Sequence, residues 1–154
     1  MKKSLLTILM LFCISFSFAQ FRTTTWGMTK ERVRQVENLV KERDNFDIIE
    51  YIVPMDEMNC QLLYTFAKNK LVEATYTFTP LKIYDNENIE KYIWKRTVDN
   101  LNKKYGNPVK NDENQVIWDI KDFTIRAFNL DDSDFKEKVT VTYYPPMKSQ
   151  QSIL

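Results

Sequence analysis

The sequence predicts an α+β fold in which two α-βββ repeats form one antiparallel β-sheet with two helices packed on one face. Three observations carry this expectation. Two stretches place apolar residues at helical spacing, each is followed by segments that alternate with a period of two, and the order helix, strand, strand, strand occurs twice. The repeats run from about 26 to 80 and from about 85 to 145, inside a single domain of residues 20–154. A one-faced sheet buries its apolar side most simply by joining its twin under two covering helices.

The first helix is expected from about Lys30 to Glu42, because GMTKERVRQVENLVKER carries Val33, Val36, Leu39 and Val40 at helical spacing. Thr29 suits the N-cap, and Glu31 favours the positive end of the helix dipole. The period then becomes two. FDIIEYIVP is β-branched and aromatic and stops at Pro54. Residues 58 to 66 place Cys60, Leu62, Tyr64 and Phe66 on one face, and residues 71 to 78 place Val72, Ala74, Tyr76 and Phe78 on one face. The polar AKNK between them reads as a hairpin turn with Asn69 at positive φ.

The second helix lies within NIEKYIWKRTVDNLNKKYGNP, where Trp94, Val98, Leu101 and Tyr105 follow spacings of four, three and four. Lys103 and Lys104 suit its negative end, Gly106 the left-handed position beyond it, and Pro108 prevents continuation. QVIWDI, FTIRAFN and KVTVTYY then alternate as strands. Lys121 and Asp122 make a tight turn between the first two, and LDDSDFKEK reads as a longer polar loop before the third.

The chain begins MKKSLLTILMLFCISFSFAQ: two lysines, an apolar run, then Ser17 and Ala19 at the −3 and −1 positions of a cleavage site. This pattern predicts a signal peptide over residues 1–19 and an exported protein, periplasmic or secreted after cleavage near Ala19. Phe12 stands where lipid-modified leaders want a small residue before Cys13. Cleavage leaves 20 basic against 21 acidic residues, a balance that predicts no attraction for nucleic acid or anionic lipid. No membrane span is expected in the mature chain. Cys60 is then the sole thiol, expected to be buried and structural, so the fold rests on its core and not on disulfides.

The opening Trp26, Gly27, Met28, Thr29, Glu31 and Val33 resembles the start of small exported bacterial envelope proteins. The KNKL turn and the KKYGNP helix end resemble them too. More distantly, the helix start is similar to that of the BamE family of outer-membrane assembly lipoproteins and of tandem-repeat proteins of the beta-lactamase-inhibitory-protein type. The resemblance implies an exported, non-enzymatic helix-plus-meander module used for protein binding. It carries over no functional residue, since this leader lacks the lipidation site of the first group and the mature chain lacks the disulfides of the second.

Composition narrows the chemistry. The chain has no histidine, which excludes Ser-His-Asp and Cys-His nucleophile systems and histidine-ligated metal. Its two glycines, Gly27 and Gly106, exclude a P-loop and a dinucleotide-binding turn. Asp131, Asp132 and Asp134, followed by Glu137, lack the central glycine and terminal ligand of a calcium-binding EF-hand and read as a solvated turn. No catalytic residue, metal site or cofactor is therefore expected. The aromatic content, 14% of the chain, is the unusual quantity. Tyr51, Phe128 and Tyr144 are the candidates for the sheet face opposite the helices, where aromatic side chains serve a partner protein or a ligand. The expected function is a non-enzymatic interaction module that binds another envelope protein. The alternative is a carrier that holds a small ligand or glycan on an aromatic sheet face.

Overall fold

Thr29 opens helix α1 (Lys30–Val36) as expected, its hydroxyl accepting from the Arg32 amide at 3.4 Å. The structure, a computed structural model, describes residues 20–55, 58–80, 87–132 and 135–146. Ahead of α1, strands β1 (Gln20–Phe21) and β2 (Thr24–Thr25) pair as a small hairpin. Four strands follow the helix: β3 (Val40–Asp44), β4 (Ile48–Val53), β5 (Met58–Ala67) and β6 (Lys70–Pro80). Helix α2 (Glu87–Tyr105) is followed by β7 (Lys110–Asn111), β8 (Gln115–Ile120), β9 (Phe123–Asp132) and β10 (Phe135–Tyr144). The fold class is α+β, with one eight-stranded antiparallel sheet ordered β3-β4-β5-β6-β10-β9-β8-β7. Each helix thus precedes four strands, not the expected three.

The extra strands explain themselves physically. Residues 37 to 42 were expected in the helix, but α1 stops after Val36, and Glu37 is extended at φ −80°, ψ 125°. Val40–Asp44 instead pairs with β4, so ladder hydrogen bonds override a helical spacing that propensity alone would sustain. Its sequence, VKERD, is the charged composition by which an edge strand discourages further pairing, and a register shift between Lys41 and Arg43 adds to that. At the opposite edge β7 has two residues, too short to leave a period. The expected polar loop at LDDSDFKEK is also replaced by strand: Asp131 and Asp132 belong to β9 and Glu137 to β10, while Asp134 lies outside the described residues.

Register assigns every strand residue to a face. One row crosses Tyr51, Leu62, Tyr76, Val141, Ala127 and Val116, and the neighbouring row crosses Ile49, Tyr64, Ala74, Tyr143, Ile125 and Trp118. These residues build the core together with Val33 of α1 and Leu101 of α2. In β6 the pairing shifts between Thr65 and Phe66, so Leu71 rather than the expected Val72 is the buried residue opposite Phe66. Lys68 and Asn69 both take positive φ in the tight turn between β5 and β6. That turn also serves α1, because the Asn69 side-chain oxygen accepts from the Lys30 amide at 3.2 Å.

Helix α2 ends where its sequence says it should. Gly106 has φ +83° and its amide donates to the Asn102 carbonyl at 2.8 Å. The fully buried Trp118 ring then ties that end to β8, its Nε1–H shared between the Gly106 carbonyl at 3.1 Å and the Asn102 side-chain oxygen at 3.2 Å. No helix among the described residues is long and apolar enough to cross a membrane.

Candidate functional site

The side of the sheet away from the helices is set by the same register. One row runs Val40, Ile52, Gln61, Thr77, Thr140, Phe128 and Gln115; the next runs Arg43, Glu50, Leu63, Thr75, Thr142, Arg126, Ile117 and Lys110. Threonines occupy the middle of both rows, and Thr75 donates to the Thr142 hydroxyl at 3.1 Å across the central pair of strands. The flanks mix polar residues with apolar ones, of which Val40, Ile52 and Leu130 are exposed and Leu63 and Phe128 are half-buried. Arg43 and Glu50 pair with each other at 2.8 Å towards one edge and Lys110 lies at the other, while nearer the centre the Arg126 guanidinium carbon lies 5.2 Å from the centroid of the Tyr144 ring. The Arg126 Nε is shielded from solvent and has no hydrogen-bond partner among the described residues. Burial pushes the Tyr144 hydroxyl pKa upward, with the Glu73 carboxylate acting in the same direction.

Two of the three aromatic residues chosen from sequence therefore lie on this face. Phe128 and Tyr144 do, but Tyr51 does not. Tyr51 is 2% exposed and packs edge-on against Tyr64 at 6.0 Å in the core. The reason is visible in its strand: IIEYIV carries apolar residues on both faces, so alternation alone does not fix which face is inside. Arg126, in contrast, was missed, and its signal was weak, since an arginine in an alternating strand reads as ordinary solvent-facing charge.

The helix side holds a polar centre that sequence reading also missed. Glu37, one residue beyond α1, is buried, with its side chain 1% exposed. Its Oε1 accepts from the Tyr64 hydroxyl at 2.5 Å, the Thr23 hydroxyl at 3.1 Å and Arg22 Nε at 3.4 Å. This carboxylate joins the N-terminal hairpin, the end of α1 and β5. Arg22 also reaches the Tyr76 hydroxyl at 3.4 Å, and its own backbone is left-handed at φ +55°. A second carboxylate hub, Asp44, accepts from Arg34 Nε and Nη2 at 2.7 and 2.8 Å, Lys30 at 3.0 Å and Lys41 at 3.2 Å. The Arg34 fork, aided by the two lysines, holds the Asp44 carboxyl well below the usual carboxylate range.

A cleft of about 310 Å³ opens between α2 and the sheet. Its floor is Cys60 of β5, Tyr76 and Phe78 of β6, and Val141 and Tyr143 of β10. Ile93, Arg96, Thr97, Asn100 and Leu101 supply the opposing wall, positions three and four apart along one stripe of the helix. Arg22 borders the cleft from the N-terminal hairpin, and no acidic residue is among its described lining. Cys60 is 2% exposed, and burial pushes its thiol pKa up to about 12, so it is an inert part of the floor. Among the described residues no three acids or cysteines cluster to hold a metal ion.

No protein-family model, curated protein or solved structure matches the chain.

Proposed function

We propose that this protein is an exported, non-enzymatic interaction module of the bacterial cell envelope, built by duplication of a helix-plus-meander unit, that binds another envelope protein through the sheet face opposite its helices. The observation that carries this reading is the Arg126–Tyr144 stack, set in a threonine field and flanked by Phe128, Leu63 and Ile52 on the face that neither helix covers. Arginine and tyrosine surrounded by smaller residues is the composition of an interface hot spot. The partner is a protein surface that presents a carboxylate to Arg126 beside an apolar patch that meets Phe128. Export is supported by the leader, with its lysines, apolar run and Ser17–Ala19 cleavage pattern. Duplication is supported by the shared order of helix and four strands, and by a sheet order that mirrors itself about the β6–β10 pair.

Affinity capture from the detergent-solubilised envelope of the native cells tests the proposal when wild type is compared with three variants. Arg126→Glu and Phe128→Asp alter the proposed face, and Lys103→Glu alters the exposed side of α2. The expected result is one stoichiometric partner retained by wild type and K103E and lost with R126E and F128D, all four being folded by circular dichroism. Equal retention by all four would show that the face is not the binding site.

A further inference from the structure

The near-even total of 20 basic and 21 acidic residues after residue 19 sets the far field of the molecule, not the field at any one surface. Ion pairing takes up cations across the first half of the fold: Arg22 meets Glu37, Lys30, Arg34 and Lys41 meet Asp44, and Arg43 meets Glu50. Helix α2 is different. Lys91, Lys95 and Lys103 are exposed and make no ion pair among the described residues. Lys104 is exposed as well, its ammonium 4.9 Å from the centroid of the Tyr105 ring, and Arg96 lies 5.9 Å from that of Tyr92. Glu87 and Glu90 belong to the first turn of the helix, and beyond it Asp99 is the one carboxylate.

Helical geometry gathers these charges. The helix packs inward through Ile93 and Leu101, with Trp94, Val98 and Tyr105 half-buried beside them. Lys91, Lys95, Asp99 and Lys103 follow one another at intervals of four along the solvent side, neighbours about 6 Å apart and the whole stripe about 18 Å long. Asp99 lies within the stripe but makes no ion pair with either lysine. The Debye length at physiological salt is about 8 Å, so a surface approaching α2 senses the stripe and not the acids elsewhere on the molecule. Tyr92 stands in the same stretch, 52% exposed, an amphipathic ring of the kind that settles at the level of lipid headgroups.

We propose that the solvent side of α2 docks on an anionic lipid bilayer, with Lys91, Lys95 and Lys103 meeting headgroup phosphates and Tyr92 entering the headgroup layer. The exposed cations are mainly lysines, compact charges on flexible stems that suit a fluid field of phosphates, whereas fixed carboxylates on a protein partner favour the arginine fork. The helix lies on the side of the sheet away from Arg126 and Tyr144, so a docked molecule turns that face away from the bilayer and both surfaces can be occupied together. Docking does not depend on that face being a binding site.

The test is co-sedimentation of the purified chain from Gln20 onward, so that the leader contributes nothing, with sucrose-loaded vesicles. One set holds phosphatidylglycerol and phosphatidylcholine in equal parts, the other phosphatidylcholine alone. At about 0.1 M salt the chain should pellet with the anionic vesicles and not with the neutral ones, and about 0.5 M salt should release it. A cation near such a surface is worth about a factor of five, so K95Q/K103Q should weaken partition about 25-fold and Asp99→Asn should strengthen it about fivefold. Lys70→Glu changes net charge by the same two units as K95Q/K103Q, but its residue precedes the buried Leu71 of β6 and so lies across the sheet from α2; it should bind as wild type. All of these side chains are exposed, and the gain expected of D99N cannot come from misfolding. Equal binding to neutral vesicles, K70E weakened as much as K95Q/K103Q, or D99N no tighter than wild type would each overturn the proposal. So would absence of vesicle binding, and retention on immobilised polyglutamate in that case would assign the helix face to an acidic protein instead. Capture in detergent reads the sheet face separately, so failure of one proposal is distinguishable from failure of the other.

Discussion

Replacing Glu37 by alanine tests the polar centre on which the N-terminal half is assembled. Three donors converge on one oxygen: Tyr64, which is fully buried, Thr23, and Arg22, whose side chain is 34% exposed. The Tyr64 hydroxyl also meets the Thr24 side chain, and losing Glu37 as its acceptor costs about 1–3 kcal/mol. Breaking a buried ion pair costs about 3–5 kcal/mol, but the exposure of Arg22 lets water replace much of that. The two contributions together place Glu37→Ala at about 3 kcal/mol of destabilisation, a fall in thermal midpoint of roughly 10 °C for a domain of this size. Tyr64→Phe removes one donor and leaves the carboxylate two others, so about 1–2 kcal/mol is expected. Because the two residues share a bond, E37A/Y64F should be less destabilised than the sum by about 1 kcal/mol or more. Urea unfolding followed by Trp fluorescence measures all three variants. An E37A loss under about 0.5 kcal/mol, or strict additivity in the cycle, would refute this account of how the hairpin is held.

Further expectations follow from other contacts. Asp44, whose pKa is depressed in the folded state by Arg34 and the lysines, adds stability above its unfolded value near 4 and loses it progressively as pH falls. The difference in unfolding free energy between wild type and Asp44→Asn should therefore shrink as pH is lowered from about 5 to 2, and a difference constant with pH would contradict this. Trp118→Phe keeps most of the ring but strands the Gly106 carbonyl and the Asn102 amide, so a loss of about 1–3 kcal/mol in urea unfolding is expected, read most clearly in hydrogen exchange at the end of α2. Cys60, buried and with its thiol pKa near 12, should resist iodoacetamide at pH 8 in the folded protein and react fully in denaturant; rapid labelling without denaturant would show that the thiol is accessible.

Local chemistry was the part of this fold written plainly in the sequence. Helix α2 is bounded by its own periodicity and by Gly106, and the β5–β6 turn by Asn69, because in both cases the deciding contacts lie within a few residues. The end of α1 was not, since Glu37 finds Tyr64 27 positions away, and nothing near Glu37 distinguishes it from the charged residues of a solvated helix face. Strand β3 was hidden for a related reason: as an edge strand its sequence is charged, and its identity depends on pairing with β4. Tyr51 shows the limit of period-two reasoning, because a strand apolar on both sides gives no parity, and only its neighbours decide which side meets the helices. On the candidate face, Phe128 and Tyr144 were legible as the out-of-phase aromatics of their strands, whereas Arg126 acquires significance only beside Tyr144. The α2 cleft belongs to no single segment and has no sequence signature.

The arrangement of the sheet concentrates its long-distance closure in one ladder. Apart from β6 with β10, every neighbouring pair in the eight-stranded sheet is also consecutive in the chain, and the paired residues of that one ladder lie 61 to 69 positions apart. Each meander therefore forms by short loop closures that cost little chain entropy, and a single slow zipping step joins them. The seam between β6 and β10 is thus a kinetic gate: amides on either side of Thr77 and Thr140 report when the two halves become one cooperative unit, while those of the outer hairpins report only local folding.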